Sequence, residues 1–171
     1  WKKRGSREEA QATLRKIVSL VDVLVGNEED LQHGLGIAGP EILGDAKLDP
    51  GVFFGMIDEV RQAFPQIKVL ATTLREVHST ARHTWSAVAW AEGRDYLAPH
   101  CELDVLDRVG GGDGFSSGFI AGLLEGLTVE ESLHRGWAHG ALLTTYPGDT
   151  TMATRHLVEA VHKGRGARIE R

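Results

Sequence analysis

Three consecutive glycines followed by an acid, Gly110-Gly111-Gly112-Asp113, constrain this 171-residue chain more than any other feature. They follow an apolar stretch, Leu103 to Leu106, part of which reads as a strand. They precede a run of small and apolar residues that predicts a helix from Asp113 to Glu125, closed by Gly126. A strand that passes into a helix through residues without Cβ brings backbone N–H groups close to whatever sits at the helix N-terminus. The partial positive charge and unpaired N–H groups there favour phosphate oxygens, above all the charge spread over a phosphoryl group in transfer. Asp113, at the rim, is a poor phosphate ligand because like charges repel, but it suits the group that accepts a proton from an attacking hydroxyl. Spacing rules out other glycine motifs: there is no GxxxxGK(S/T), the run does not fit GxGxxG, and the acidic pattern of an EF-hand is missing. By itself the tetrapeptide also fits a tight turn whose aspartate only caps the helix.

The rest of the chain alternates helix and strand signals. Ser6-Arg7-Glu8-Glu9 has capping-box spacing and opens a helix over residues 7–20. Val21 to Val25 reads as a short buried strand ending at Gly26, after which Asn27 caps a short acidic helix. Asp49-Pro50 starts a helix whose apolar stripe is Phe53, Met56, Ile57, Val60 and Phe64, stopped by Pro65. Ile67 to Leu74 is the next strand, and Trp85–Ala91 with Tyr96–Ala98 forms a hairpin around Glu92-Gly93-Arg94-Asp95. Thr128-Val129-Glu130-Glu131 caps another helix, and a last one follows Pro147-Gly148-Asp149. This order predicts an α/β fold with a mostly parallel sheet flanked by helices, binding ligands beyond the carboxyl ends of its strands.

A net charge of -5 and a pI near 5.9 argue against nucleic-acid or anionic-membrane partners, which call for a basic face. Cys101 is the single cysteine, which excludes an internal disulfide and fits a reducing cytoplasm. No apolar run approaches the roughly 20 residues that span a bilayer, and Trp1-Lys2-Lys3-Arg4 does not lead into a signal peptide. The chain begins without Met, and its first residues resemble an interior segment more than a natural start, which leaves open whether it is truncated or starts here.

Asp107 through Ile120 closely resembles the second signature of the PfkB (ribokinase-like) carbohydrate kinases, Asp-Thr-x-Gly-Ala-Gly-Asp followed by a small-residue helix. Gly110, Gly111, Gly112 and Asp113 match the anion hole and catalytic aspartate, and Ser117, Gly118 and Phe119 match the helix. Arg108 stands for the usual Thr and Gly111 for the usual Ala. Val25-Gly26-Asn27-Glu28-Glu29-Asp30 resembles the family's Asn-x-x-Glu motif, which organises Mg²⁺ and the nucleotide phosphates through water. Asn27 matches directly, and either Asp30, one methylene shorter than Glu, or Glu29 takes the acidic role. Where the family carries Thr-Leu-Gly beside the nucleotide, this chain has Thr73-Leu74-Arg75, placing Thr73 and Arg75 on the nucleotide side.

Within the family, the Thr-Thr-Leu-Arg-Glu-Val-His run, the Asp-Arg-Val-Gly-Gly-Gly-Asp signature and Pro147-Gly148-Asp149 are most similar to 2-keto-3-deoxygluconate kinases. The resemblance implies a ribokinase-like fold, ATP and Mg²⁺ as cofactors, and a small sugar or sugar acid phosphorylated at a primary hydroxyl. Fructokinase- or ribokinase-type acceptors and a non-catalytic binding regulator remain alternatives, and homo-oligomerisation stays open. It also implies that Asp107 hydrogen-bonds substrate and that Asp149 approaches the acceptor or the rim of the site; Asp149 otherwise reads as a helix cap. The family's first glycine signature and most of its sugar-binding residues fall upstream of Trp1, so residues 1–171 are expected to form the C-terminal, nucleotide-binding part of a partial fold. His78, His83, His100 and Cys101 lack metal-ligand spacing, and Gly118-xxx-Gly122 is expected to let its helix pack closely on the sheet.

Overall fold

A computed structural model describes residues 5–39 and 49–163; Trp1 to Arg4 lie outside that range. Chain contacts form two compact units, Trp1–Thr72 with Ala89–Asp95 and Thr73–Val88 with Tyr96–Arg171.

In the first unit, helix α1 (Arg7–Val18) starts at a complete capping box. The Ser6 hydroxyl accepts from Glu9 N–H at 3.2 Å, and Glu9 Oε2 accepts from Ser6 N–H at 3.2 Å. Strand β1 (Val23–Val25) runs parallel to the start of β2 (Val69–Ser79), with Val23 opposite Val69 and Val25 opposite Ala71. It is shorter and less buried than the sequence suggests, with Val23 37% exposed, because among the described residues β1 pairs with β2 alone. Helix α2 (Pro50–Ala63) is capped by Asp49, whose carboxylate accepts from Gly51 N–H at 2.9 Å. Its predicted stripe is the core of this unit: Phe53, Met56, Ile57 and Val60 are buried almost completely. Each such side chain stabilises by about 1.5–3 kcal/mol. Trp90 packs under the Arg61 guanidinium, 4.0 Å from its ring centre.

Ile67 is not yet strand, since its N–H donates to Phe64 O in the turn after α2, and β2 extends to Ser79 rather than stopping at Leu74. A two-residue link, Thr80-Ala81, leads into β3 (Arg82–Ala91), and so short a link joins only antiparallel strands. Glu92 and Gly93 both have positive φ (51° and 78°) and turn the chain into β4 (Arg94–Leu97). Both central residues of a type I′ turn need that sign. Strand β5 (Cys101–Asp104) pairs antiparallel with β3, His83 opposite Leu103. The order is β1-β2-β3-β4 with β5 also on β3. The expected sheet with accompanying helices is present, while its described parallel pairing is confined to β1 and β2.

The second unit is dominated by α3 (Gly111–Leu124) packed on α4 (Val129–Leu143), followed by α5 (Arg155–His162). Thr128 and Glu131 form the predicted capping box of α4. The glycine stripe of α3 lies against α4, not against the sheet as expected. A Cβ on Gly118 would sit 3.0 Å from Gly136 Cα, and one on Gly122 would sit 2.9 Å from Ser132 Cα. Facing glycines on α4 complete the contact: a Cβ at Gly136 would lie 2.8 Å from Phe115 O, and one at Gly140 2.8 Å from Gly111 O. The last helix is capped by Thr154, so Asp149 is not its cap.

Burial lowers the pKa of His83 and of His139 below the ordinary imidazole value; at His83 the positive charge of Arg75 adds to it. The folded state therefore binds fewer protons than the unfolded chain just below the unfolded value of about 6.5. Their contribution to stability is present above that pH and is lost as pH falls below it. The midpoint of thermal unfolding is expected to drop between pH 7.5 and 5.5, and a His83→Gln variant to show a flatter dependence. An unchanged slope in that variant would contradict the assignment.

Candidate active site

Helix α3 begins two residues before the expected start, with Gly110 as its N-cap in the left-handed region (φ 83°, ψ -8°). The three glycines then have different reasons to be glycine. At Gly110 a side chain would be strained by that φ, and its Cβ would lie 3.0 Å from the Asp149 carbonyl oxygen. At Gly111 a Cβ would meet Thr144 Cγ2 at 2.9 Å. At Gly112 nothing lies within 4 Å. The protein itself therefore requires the first two, while the third keeps open space at the helix terminus.

The helical ladder starts where Gly114 N–H donates to Gly110 O at 2.7 Å. Among the described residues, the Gly112 and Asp113 N–H groups donate to no backbone carbonyl, as the first turn of a helix dictates. Asp113 is exposed in that same turn. Carboxylate and free N–H groups thus share one open terminus, with Trp85 buried beneath it. The indole Nε1–H donates to Trp137 O at 3.1 Å, and its Cη2 lies 3.8 Å from the Cβ position of Gly111.

Asp107 has a structural role that its sequence neighbours do not signal. Its Oδ1 accepts from Val109 N–H at 2.9 Å and its Oδ2 from Gly148 N–H at 3.2 Å, so each oxygen faces backbone. The first contact shapes the glycine loop, and the second ties it to the Pro147-Gly148-Asp149 turn. Thr144 O reinforces the junction by accepting from Leu106 N–H at 2.9 Å and Asp107 N–H at 3.2 Å. Asp149 accordingly comes next to the loop through its backbone, while its exposed carboxylate receives, among the described residues, a long 3.4 Å hydrogen bond from Thr150 Oγ1.

Thr73 is half-buried and Arg75 exposed on β2, in the same unit as the loop. Arg75 and Arg108 both act electrostatically on buried His83, which puts two cations within reach of one imidazole. Sequence reasoning missed His139, whose Nδ1 lies 3.1 Å from Ser117 Oγ, and the α4 glycines that let α3 approach. The four-residue spacing of Gly136 and Gly140, matching that of Gly114, Gly118 and Gly122, was the available signal. His78 Nε2 pairs with Thr84 Oγ1 at 2.6 Å, and burial raises the Cys101 thiol pKa to about 11.

The Asn27 motif belongs to the first unit. Asn27 Oδ1 accepts from Asp30 N–H at 2.9 Å and Asp30 Oδ2 accepts from Asn27 N–H at 3.0 Å, a reciprocal cap. It opens a π-helical turn, Asp30–Gly34, with Glu29 as N-cap. Among the described residues, Asp30 Oδ1 and the Glu29 carboxylate accept no hydrogen bond. No cluster of three acidic, His or Cys side chains able to hold a metal occurs among the described residues. Such oxygen donors fit an ion carried mainly by phosphate and water rather than a protein cage. The open Gly112 position and the free N–H groups fit phosphate oxygens.

Residues 3–155 match the sequence pattern of the pfkB family carbohydrate kinases. The chain belongs to this family. It is 31% identical over 171 residues, all of its length and 46% of the relative's, to a 2-dehydro-3-deoxygalactonokinase of Haloferax volcanii. A 50-residue stretch, 29% of the chain and 15% of the relative, is 50% identical to a 2-dehydro-3-deoxygluconokinase of Bacillus subtilis. In three dimensions it resembles 2-dehydro-3-deoxygluconokinase from Thermotoga maritima, with a TM-score of 0.84 and 29% identity, over 96% of this chain and 48% of that one. This pfkB family chain thus spans about half the length of the relatives it matches end to end. Among the described residues no helix is long and apolar enough to cross a membrane.

The unequal glycines allow a direct check on whether the N-terminus of α3 holds phosphate. Gly112→Ala is expected to leave thermal stability unchanged or slightly raised, because alanine is favoured over glycine in a helix by up to about 1 kcal/mol. It should weaken ADP or ATP binding severalfold, because the methyl group enters the space in front of the N–H groups. Calorimetric titration with the nucleotide reads this; unchanged affinity would argue against a ligand at that position.

Proposed function

We propose that this protein transfers the γ-phosphoryl group of ATP, with Mg²⁺, to a primary hydroxyl of a sugar acid, 2-keto-3-deoxygluconate being the acceptor. The observation that carries the reading is the exposed Asp113 in the first turn of a helix where, among the described residues, the Gly112 and Asp113 N–H groups donate to no backbone carbonyl. ATP supplies the phosphoryl group and Mg²⁺ offsets phosphate charge. The Gly112 and Asp113 N–H groups donate to phosphoryl oxygens, and the Asp113 carboxylate takes the proton of the acceptor hydroxyl. Asp107 keeps the loop in shape by holding Val109 and Gly148. In this reading Asn27, Glu29 and Asp30 would offer oxygen donors to a hydrated metal, and Thr73 and Arg75 would serve the nucleotide. A base that is also close to helix N–H groups suits this reaction, because phosphoryl transfer depends more on positioning and charge stabilisation than on early proton removal. A cytoplasmic setting, where ATP is made available, goes with this reading.

Two of the similar proteins are named for acceptors of gluco and galacto configuration, which differ at a single carbon. A coupled assay of the full-length protein with MgATP should therefore compare 2-keto-3-deoxygluconate, 2-keto-3-deoxygalactonate, fructose and ribose. Turnover with the keto-deoxy acids, at least tenfold above that with the other two, is expected. Preference for fructose or ribose would replace the acceptor, and ATP binding without turnover on any of the four would replace catalysis with a regulatory role.

A further inference from the structure

We propose that one row of α1, Arg7, Gln11 and Arg15, is the positioning device for the Asn27–Asp30 turn. The residues are four apart and so lie along one helix face. Each donates to the far end of the π-helical turn. Arg7 Nη2 reaches Gln32 O at 3.5 Å and His33 Nδ1 at 2.7 Å, Gln11 Nε2 donates to His33 O at 3.0 Å, and Arg15 Nη1 donates to Leu35 O at 2.7 Å. A guanidinium only donates, so His33 Nδ1 accepts and its proton is on Nε2.

The need for such a row follows from the turn. A π-helix has few intrinsic advantages, occurs in short pieces and leaves its last carbonyls without partners of its own. Here α1 donates to His33 O and Leu35 O, while Gln32 O also accepts from Gly36 N–H at 3.1 Å. Two glycines are spaced to admit the donors' helix: a Cβ on Gly34 would lie 3.3 Å from Leu14 Cδ1, and one on Gly36 3.2 Å from Gln11 Oε1. Gly36 also has φ +68°. Arg15 is itself oriented by the Phe64 ring, 4.9 Å from its guanidinium carbon. Leu31, almost fully buried, anchors the turn but does not set its rotation, whereas four directional bonds from three side chains do. The N-terminal end of the same turn is the Asn27–Asp30 cap, so the α1 row fixes which way the remaining Asp30 and Glu29 oxygens point. Relevance to Mg²⁺ rests on the functional reading above; the positioning itself does not.

The test separates the two. In the 171-residue chain, Gln11→Leu with Arg15→Met removes two donors at similar volume. Hydrogen exchange of the Asn27 and Asp30 amides is expected to accelerate at least tenfold, with Phe119 in α3 unchanged, and Arg15→Lys alone to exchange close to the parent. Unchanged exchange at Asn27 and Asp30, or equal acceleration at Phe119, would overturn the inference. If the double variant fails to fold, Gln11→Leu alone should give a severalfold acceleration confined to the same two amides, and none would overturn it. Separately, Mn²⁺ with ATP should broaden the Asn27 and Asp30 signals of the parent chain. No broadening would remove the metal reading while the exchange result still decides the role of α1.

Discussion

Asp113→Asn in the full-length protein is expected to lower kcat by about 10²–10⁴-fold, the range over which a positioned general base acts, with ATP affinity held within a few-fold. The amide keeps the size of the side chain and its place in the first turn of α3, but it cannot take a proton. Removing a negative charge beside phosphate should, if anything, favour nucleotide binding. Rate and affinity therefore separate, and steady-state kinetics with MgATP alongside calorimetric titration measures both. Retained turnover would show that the hydroxyl proton leaves by another route. A parallel loss of affinity would mean that the loop, rather than the chemistry, had been damaged.

The second large effect is structural. Gly140→Val is expected to destabilise the chain by about 2–3 kcal/mol, the range for overpacked interiors. For a protein of this size that is a drop of roughly 5–10 °C in the unfolding midpoint. Helix propensity alone predicts a small gain, since valine is a few tenths of a kcal/mol better than glycine. Packing outweighs it because the Cβ would lie 2.8 Å from both Gly111 O and Trp85 Cζ2, a backbone atom and a buried ring that have little room to yield. Since Gly111 is the first residue of α3, the same substitution should also disturb the phosphate cradle. Differential scanning calorimetry reads the first effect, and a loss of under 1 kcal/mol would refute the close α3–α4 contact.

The two predictions rest on different kinds of legibility. Asp113 was readable because its meaning is local: a strand signal, three residues without Cβ and a helix signal fall within a short span of chain. The Ser6 and Thr128 capping boxes and the Asp49-Pro50 start were readable for the same reason, as each is a hydrogen bond between residues two or three apart. Gly140 was not. Its partner is Gly111, far away in sequence, and glycine spacing reveals that a close approach exists without revealing what approaches. For Gly118 and Gly122 on α3 the sheet was the natural guess, and α4 is the answer. Asp107 shows the same limit at the site itself. Beside the substrate contact that its family position implies, its second oxygen accepts from Gly148 N–H, 41 residues on, which no local pattern signals.

By itself the sequence determined the family, the α/β alternation, the helix starts and the glycine loop with its acid, since these depend on backbone conformation and on hydrogen bonds within a turn or two. Only the tertiary structure decided why each glycine is a glycine, that Asp107 braces two loops, that Asp149 is no helix cap, and that α1 holds the Asn27 turn. Those are contacts between segments brought together by packing, where the choice of partner is made by shape and by unpaired polar groups rather than by neighbours along the chain.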